Sequence, residues 1–422
     1  MSGTIEPFSF VHTSDWHLEQ PVAGLSVVPD AWYERLLDAP YAAAERVVDT
    51  TLQSNADFLI LAGDILQAKW AGPHAVDFLR QQLERLAAAK IPVYWVSGRV
   101  DLPEDWPSTI PLPTNVQRLG HGEPVPRPIM RDTTPLATIE GATLAANDTV
   151  RSDLFPVRER QLYRIVTVHG SADLSSLARD DLEYWALGGR HHFKKWRRHG
   201  CAAVTCGSPQ SRQPAEVGPH GCATVRVAAD GSTEVQHVAT DILRWQSVSV
   251  EVHSATTRSD FEHRLREHAQ RLLVEAGGRS LLVQWSVVDA GCRPDSPGAR
   301  LLAQMRCGRL AADLCQDLQR AFGQLEPGLW SAELDVAPSA QPAPSWQGED
   351  SVLGEFLRAV QMGQDQLDRP LVAEQWLTDQ GDSTHIPTSM RVHNAADRQR
   401  ILHQVAALGA DLLQGHYQEL ET

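Results

Sequence analysis

Phe8-Ser9-Phe10-Val11-His12-Thr13-Ser14-Asp15-Trp16-His17 reads as a short apolar strand that closes in Asp-x-His. Side chains alternate along a strand, so Asp15 and His17, two residues apart, face the same way. A carboxylate beside an imidazole at a strand's end is a donor pair for a divalent metal. The same pair also occurs in solvated turns, so its meaning depends on whether the rest of the chain brings partners to it.

Working outward, Leu18 to Leu25 is a loop holding Pro21 and Gly24. From Asp30 to Ser54, Leu36, Leu37, Ala43, Ala44, Val47, Val48 and Leu52 recur near the helical period. Residues 57–64, Asp-Phe-Leu-Ile-Leu-Ala-Gly-Asp, form a continuous apolar run that ends in a second carboxylate, Asp64. Such a run marks a strand covered on both faces in a parallel sheet. A helix is expected from His74 to Ala89 and a third strand from Ile91 to Val96, leading into Ser97-Gly98-Arg99-Val100-Asp101. After an irregular Pro-rich span, Gln161–Val168 reads as a strand ending at His169-Gly170. Tyr184-Trp185-Ala186-Leu187 runs likewise into Gly188-Gly189-Arg190-His191-His192. Ligands of open α/β sheets gather at the C-terminal ends of strands. An α/β fold is therefore expected.

The 422 residues suffice for two or three domains. A net charge of -15 excludes a general nucleic-acid coat and leaves local basic patches for phosphate. Lys194, Lys195, Arg197 and Arg198 are such a run, expected as a solvated loop, with a backbone-phosphate contact as its functional reading. The six cysteines form no Cys-x-x-Cys pair, and no signal peptide is read at the N-terminus, so reduced thiols and a cytoplasmic location are expected. No apolar run approaches the roughly 20 residues that cross a bilayer. A boundary is expected near Asp241–Trp245. It gives domains at 1–244, 245–336 and 337–422. The second is a β-α-β-α-β module with helices at Thr257–Ala276 and Ala299–Phe322. The third is a linker, Ala337–Gln347, and a helical region bearing the stripe Ile401, Val405, Leu408 and Leu412.

In order, Asp15-x-His17, Gly63-Asp64, Gly98-Arg99-Val100-Asp101, His169-Gly170 and Gly188-Gly189-Arg190-His191 resemble the motif series of the calcineurin-like metallophosphoesterases. The stretches FVHTSDWHLEQPVAGL (10–25) and CGSPQSRQPAEVGPHGCATVRV (206–227) resemble the SbcD-type DNA-repair exonucleases within that family, and their YhaO-like branch. The resemblance implies a four-layer α+β sandwich, a small DNA-contacting capping domain and a helical C-terminal tail. It implies two-metal phosphodiester hydrolysis, with Mn²⁺ usual and Fe²⁺ or Mg²⁺ as alternatives. Asp15, His17, Asp64 and His191 would hold the first ion. Asp64, an Asn, His169 and a further His would hold the second.

This chain departs from that pattern. Arg99 stands for the Asn, Val100 for the proton-donating His and Gly189 for the further His. Arg is always protonated and donates only, so it ligates no cation. One ion per chain is expected, with Arg99 as a phosphate grip or a surrogate for the second charge. Three readings stay open: a slowed Mn-dependent DNA exonuclease, an inactive DNA-end-binding scaffold, and a phosphatase of small phosphate esters. By the same resemblance the partners are DNA, an SMC-like coiled-coil ATPase and a second copy met through the helices at 30–54 and 74–89.

Overall fold

β1 (Phe8–Thr13) is central because both its faces are apolar and both its edges are paired. β2 (Phe58–Ala62) lies parallel on one side, with Phe10 opposite Phe58 and Thr13 opposite Leu61. The computed structural model describes residues 5–25, 28, 30–120, 123–144, 148–159, 162–198, 200–293, 295–306, 309–336, 344–365 and 395–413. β3 (Val93–Val96) and β4 (Val116–Leu119) extend the parallel array. β11 (Gly221–Val227) and β12 (Thr233–Ala239) close its other side antiparallel, giving the order β12-β11-β1-β2-β3-β4. A second sheet runs β5-β6-β7-β8-β10-β9, built from β5 (Arg127–Arg131), β6 (Thr134–Ala142), β7 (Tyr163–His169), β8 (Tyr184–Gly188), β9 (Lys194–Arg198) and β10 (Cys201–Thr205). Its inner strands β6, β7, β8 and β10 are parallel.

The two sheets pack face to face through aromatics. Phe10 stacks on Phe58 at 4.8 Å, and Tyr184 meets Phe10 edge-on at 5.1 Å. Each such buried side chain contributes about 1.5–3 kcal/mol. Helices α1 (Asp30–Gln53) and α2 (Pro73–Ala88) cover the outer face of the first sheet through Val47, Val48, Leu79 and Leu83. α1 tolerates Pro40 in its interior because Leu36 O, deprived of its helical donor, accepts Val22 N–H at 3.1 Å. Turns carrying Val150, Phe155, Leu174 and Leu177 cover the outer face of the second sheet and complete four layers.

The chain divides into two compact units, 1–246 with 276–282 and 326–328, and 247–275 with 283–325 and 329–422. β13 (Leu243–Val252), β14 (Ser280–Asp289) and β15 (Leu329–Val336) form a three-stranded sheet, and Trp285 Nε1 donates to Ser331 Oγ at 2.9 Å within it. α3 (Arg258–Glu275), α4 (Pro297–Arg306) and α5 (Arg309–Phe322) bury Phe261, Leu301, Leu314 and Phe322. α6 (Val352–Asp365) and α7 (Ala395–Leu413) pack on each other, the Phe356 ring lying against Gly409. No described helix is long and apolar enough to cross a membrane.

Several expectations change. The Pro-rich span is not irregular but holds β4, β5 and β6. β5 has a Pro and is a sheet edge, where a missing N–H costs no ladder bond. The basic run is edge strand β9 instead of a loop, paired to β10 with its charged side chains exposed. Charge on an edge strand also discourages pairing with other chains. The helix expected over 299–322 is two helices, α4 and α5. Cys201, Cys206, Cys222 and Cys315 are buried free thiols, and Cys307 lies outside the described residues. So do linker residues 337–343 and the side chains of Leu408 and Leu412.

Gly188 ends β8 where it lies close against the end of β2 in the other sheet, and a methyl group there would fall 1.9 Å from Ala62 O. Gly188→Ala is expected to cost roughly 3 kcal/mol in urea unfolding. Gly72→Ala, at a site with nothing within 4 Å, is expected to stay within about 0.5 kcal/mol of wild type. Equal stability of the two variants would refute this close approach.

Candidate metal centre

The β1–β2 ladder continues past the strand ends. Asp15 N–H donates to Gly63 O at 2.9 Å, and His17 N–H to Asp64 O at 3.1 Å. Both chains then turn through left-handed conformations: φ is +54° at Asp15, +41° at His17 and +55° at Asp64. Non-glycine residues in this region each cost about 1–3 kcal/mol and cluster at functional sites. The strain swings the side chains of Asp15, His17 and Asp64 together. From the other sheet, His169 ends β7 opposite Gly188, and His191 follows β8.

The donor atoms converge as two groups that share Asp15. Asp15, His17 and His191 form one, and Asp15, Asp64 and His169 the other, with the atoms of each within 4.8 Å of one another. His169 Nε2 is 3.2 Å from both Asp15 Oδ1 and Asp64 Oδ2. His17 Nε2 is 3.6 Å from Asp64 Oδ2, and His191 Nε2 is 3.9 Å from Asp15 Oδ1. All five expected donors therefore meet in one place. His169 lies as near Asp15 as Asp64.

Four of the five donors, all but His169, are held by a further partner. Asp15 Oδ2 accepts from Ser14 Oγ at 2.5 Å and from Gly189 N–H at 2.9 Å, leaving Oδ1. Asp64 Oδ1 accepts from the N–H groups of Arg99 at 2.5 Å and Val100 at 3.1 Å, leaving Oδ2. His191 Nδ1 lies 2.5 Å from Glu216 Oε1, with Arg212 Nη2 3.2 Å from its Nε2, and His17 Nδ1 lies 3.4 Å from Glu19 Oε1, leaving His17 Nε2. Carboxylates behind imidazoles in this way fix the ring and its tautomer for a metal. The residues therefore fit a divalent cation taking mixed N and O donors.

The charges agree. Burial opposes ionisation of Asp15, but His169, His191 and Ser14 outweigh it and hold its carboxyl far below the usual range. Burial likewise opposes ionisation of Glu216, and His191 and the Arg212 N–H bring it down to about 2, so His191 Nδ1–H is the donor. Burial opposes the charge on His169, yet Asp15 and Asp64 lift it to about 10.

The turn at 98–101 is fixed by Asp101, which accepts from Gly98 N–H at 2.6 Å, Trp95 Nε1 at 2.7 Å, Asp64 N–H at 3.1 Å and Ile65 N–H at 3.3 Å. It locks the two turns together instead of orienting a catalytic histidine. The Arg99 side chain is exposed and makes no hydrogen bond or ion pair among the described residues. His12 is fully buried against Tyr184 Oη at 3.2 Å and takes no part in the centre.

Sequence reasoning missed Glu19, Glu216 and Arg212. Arg212 is buried, its Nη1 donates to Asp15 O at 3.1 Å, and its N–H donates to Glu216 Oε2 at 2.7 Å. The only signal was that the stretches 10–25 and 206–227, which carry the resemblance, contain these residues without showing a role for them.

Residues 8–210 match the family model described as calcineurin-like phosphoesterase. Over 263 residues the chain is 28% identical to "Uncharacterized metallophosphoesterase YhaO" of Bacillus subtilis (strain 168), an alignment covering 58% of this chain and 64% of that protein. The solved "Structure of Vacuolar Protein Sorting 29 from Cryptosporidium Parvum" aligns with 55% of this chain and 96% of that one, at 16% identity and a TM-score of 0.27, too slight a likeness to carry any argument.

Glu216→Gln keeps the shape behind His191 and removes the charge. It is expected to weaken Mn²⁺ binding by roughly 10- to 100-fold in calorimetric titration, with unchanged circular dichroism. An affinity equal to wild type would show that Glu216 does not support the centre.

Proposed function

We propose that the calcineurin-like phosphoesterase domain of residues 8–210 holds a single divalent cation and hydrolyses phosphate esters of DNA more slowly than a two-ion site would. The observation that carries this reading is the donor set: Arg99, Val100 and Gly189 stand where the family resemblance puts two ligands of a second ion and the proton donor, and none of them offers a side-chain lone pair to a cation. Asp64 Oδ1 accepts from the backbone N–H groups of Arg99 and Val100, and Oδ2 faces the histidines.

Asp15 Oδ1, Asp64 Oδ2, His17 Nε2, His191 Nε2 and His169 Nε2 would hold the ion. Arg99, Val100 and Gly189 offer nothing to a second. Gly189 has φ +90°, a conformation that a histidine side chain rarely adopts. Mn²⁺ or Fe²⁺ suits the mixed donors best, with Mg²⁺ the poorer match to imidazole. When bound, such an ion withdraws charge from a phosphoryl oxygen and makes water more acidic. Asp15 and Asp64 position it, and Arg99 supplies a fixed positive charge beside them. Val100 transfers no proton, and loss of general-acid help costs about 10²- to 10⁴-fold.

DNA is favoured over a small ester by β9. It begins three residues past His191 and exposes Lys194, Lys195, Arg197 and Arg198, the residue types that bind backbone phosphates. The capping module exposes Glu251, Glu333 and Asp335 on its sheet and Arg258, Arg266 and Arg271 on α3, so its charge is mixed and β9 is the stronger candidate for the phosphate contact. An SMC-like ATPase and a second copy are proposed as partners on the family resemblance alone. The inactive scaffold is the competing reading, favoured by the replacement of the proton donor by Val100.

Metal analysis is expected to return about one Mn or Fe per chain, abolished in Asp15→Ala. With Mn²⁺, cleavage of linear duplex or single strands should be slow and should vanish in that variant. Two ions per chain would overturn the single-ion reading. Binding of DNA without cleavage would establish the scaffold, and hydrolysis confined to small esters the phosphatase.

A further inference from the structure

Two turns, one from each sheet, press on the same strand end. A methyl group on Gly98 would fall 2.5 Å from Asp64 N, and one on Gly188 would fall 1.9 Å from Ala62 O. Each turn donates a backbone N–H to one carboxylate of the centre: Arg99 N–H to Asp64 Oδ1 and Gly189 N–H to Asp15 Oδ2. Each turn also carries an arginine there, Arg99 itself and Arg190 immediately after Gly189. Both side chains are exposed, and neither makes a hydrogen bond or an ion pair among the described residues.

Arg127, Arg198, Arg226 and Arg266 are likewise exposed without a side-chain partner among the described residues, so what distinguishes Arg99 and Arg190 is their place on these two turns. Arg80, Arg85, Arg131, Arg164, Arg179 and Arg244 each rest on an Asp or Glu, as expected at a net charge of -15. Two guanidinium groups carried on turns that border a cation-holding centre, without a counter-charge among the described residues, repel one another and the ion wherever they approach it. The arrangement becomes favourable when an anion sits among all three. Two guanidinium charges also equal the charge of the dication for which Arg99 and Gly189 leave no seat.

We infer that Arg99 and Arg190 are the two arms of a clamp that takes a terminal phosphate, with the single cation as its third anchor. The inference rests on the single-ion reading and names the group that reaches the centre. A terminal phosphate is a dianion with three non-bridging oxygens, one for each anchor, whereas a diester inside a strand has two and one charge. Arginine suits the task because its planar fork meets phosphate oxygens two at a time.

Inorganic phosphate is titrated calorimetrically into the Mn²⁺-loaded full chain. Arg99→Gln and Arg190→Gln are each expected to weaken binding by about tenfold, and the double variant by roughly a hundredfold. Arg190→Lys should recover only part, since it keeps the charge and loses the fork. A 5′-phosphorylated oligonucleotide should compete with phosphate better than its 5′-hydroxyl twin, and this preference should disappear in the double variant. Equal competition by glycerol phosphate and the phosphorylated strand also supports the clamp, with a small ester as the source of the group.

Phosphate affinity unchanged in Arg190→Gln would overturn the proposal, as would equal competition by the phosphorylated and hydroxyl strands together with no effect of glycerol phosphate. Metal content is measured on the same samples. Two ions or none in wild type defeats the single-ion reading, while the Arg190→Gln comparison still reports on the clamp.

Discussion

The pairing of β1 with β2 does not stop where the strands stop, and the centre depends on that continuation. Two further backbone hydrogen bonds, Asp15 N–H to Gly63 O and His17 N–H to Asp64 O, hold the chain ends in register. Beyond the strands, left-handed turns bring alternate side chains to one point. A slip of one residue would send Asp15 and His17 to the opposite face. The register is secured below by Phe10 on Phe58, deep between the sheets. The hydrophobic core and the placing of metal donors are thus one constraint seen at two heights.

The strain at Asp15, His17 and Asp64 persists because the surroundings over-determine it. Asp101 alone accepts from four donors and joins the turn after β3 to the turn after β2. Gly98 and Gly188 let neighbouring backbone approach to distances that any side chain would forbid. Backbone N–H groups then occupy one oxygen of each carboxylate. These fixed donors do part of what a second cation does elsewhere: they stabilise ionised carboxylates in a buried place. They do so without supplying a Lewis acid, which separates holding a charge from performing chemistry with it.

The supporting residues show why the centre was only half legible. Asp15, His17, Asp64, His169 and His191 announced themselves because each closes or directly follows an apolar run, a pattern visible over ten residues. Glu216 and Arg212 lie in a loop with no periodicity, and their partner His191 is 25 residues from Glu216. Local pattern carries no information about such a pairing. β5 was hidden for another reason. Its Pro is a strand breaker in the interior of a sheet but is harmless at an edge, and edge position is a property of the assembled sheet. β9 was read as a loop because charge dominates its composition, although pairing to buried β10 makes it a strand.

The amino-acid sequence by itself determined the α/β class, the run of parallel strands, and the identity of the residues at their C-terminal ends. These follow from hydrophobic periodicity and from the rule that ligands gather where parallel strands end. It also determined that Arg99, Val100 and Gly189 bring no donor, since that is a matter of functional groups alone. Only the tertiary structure decided that His169 reaches Asp15 as closely as Asp64, that Glu19 and Glu216 stand behind the imidazoles, and that the turns bearing Arg99 and Arg190 donate backbone N–H groups to the two carboxylates. Except for Glu19, which is two residues from His17, these juxtapositions join residues far apart in the chain, fixed by register and close packing, and no local pattern encodes them.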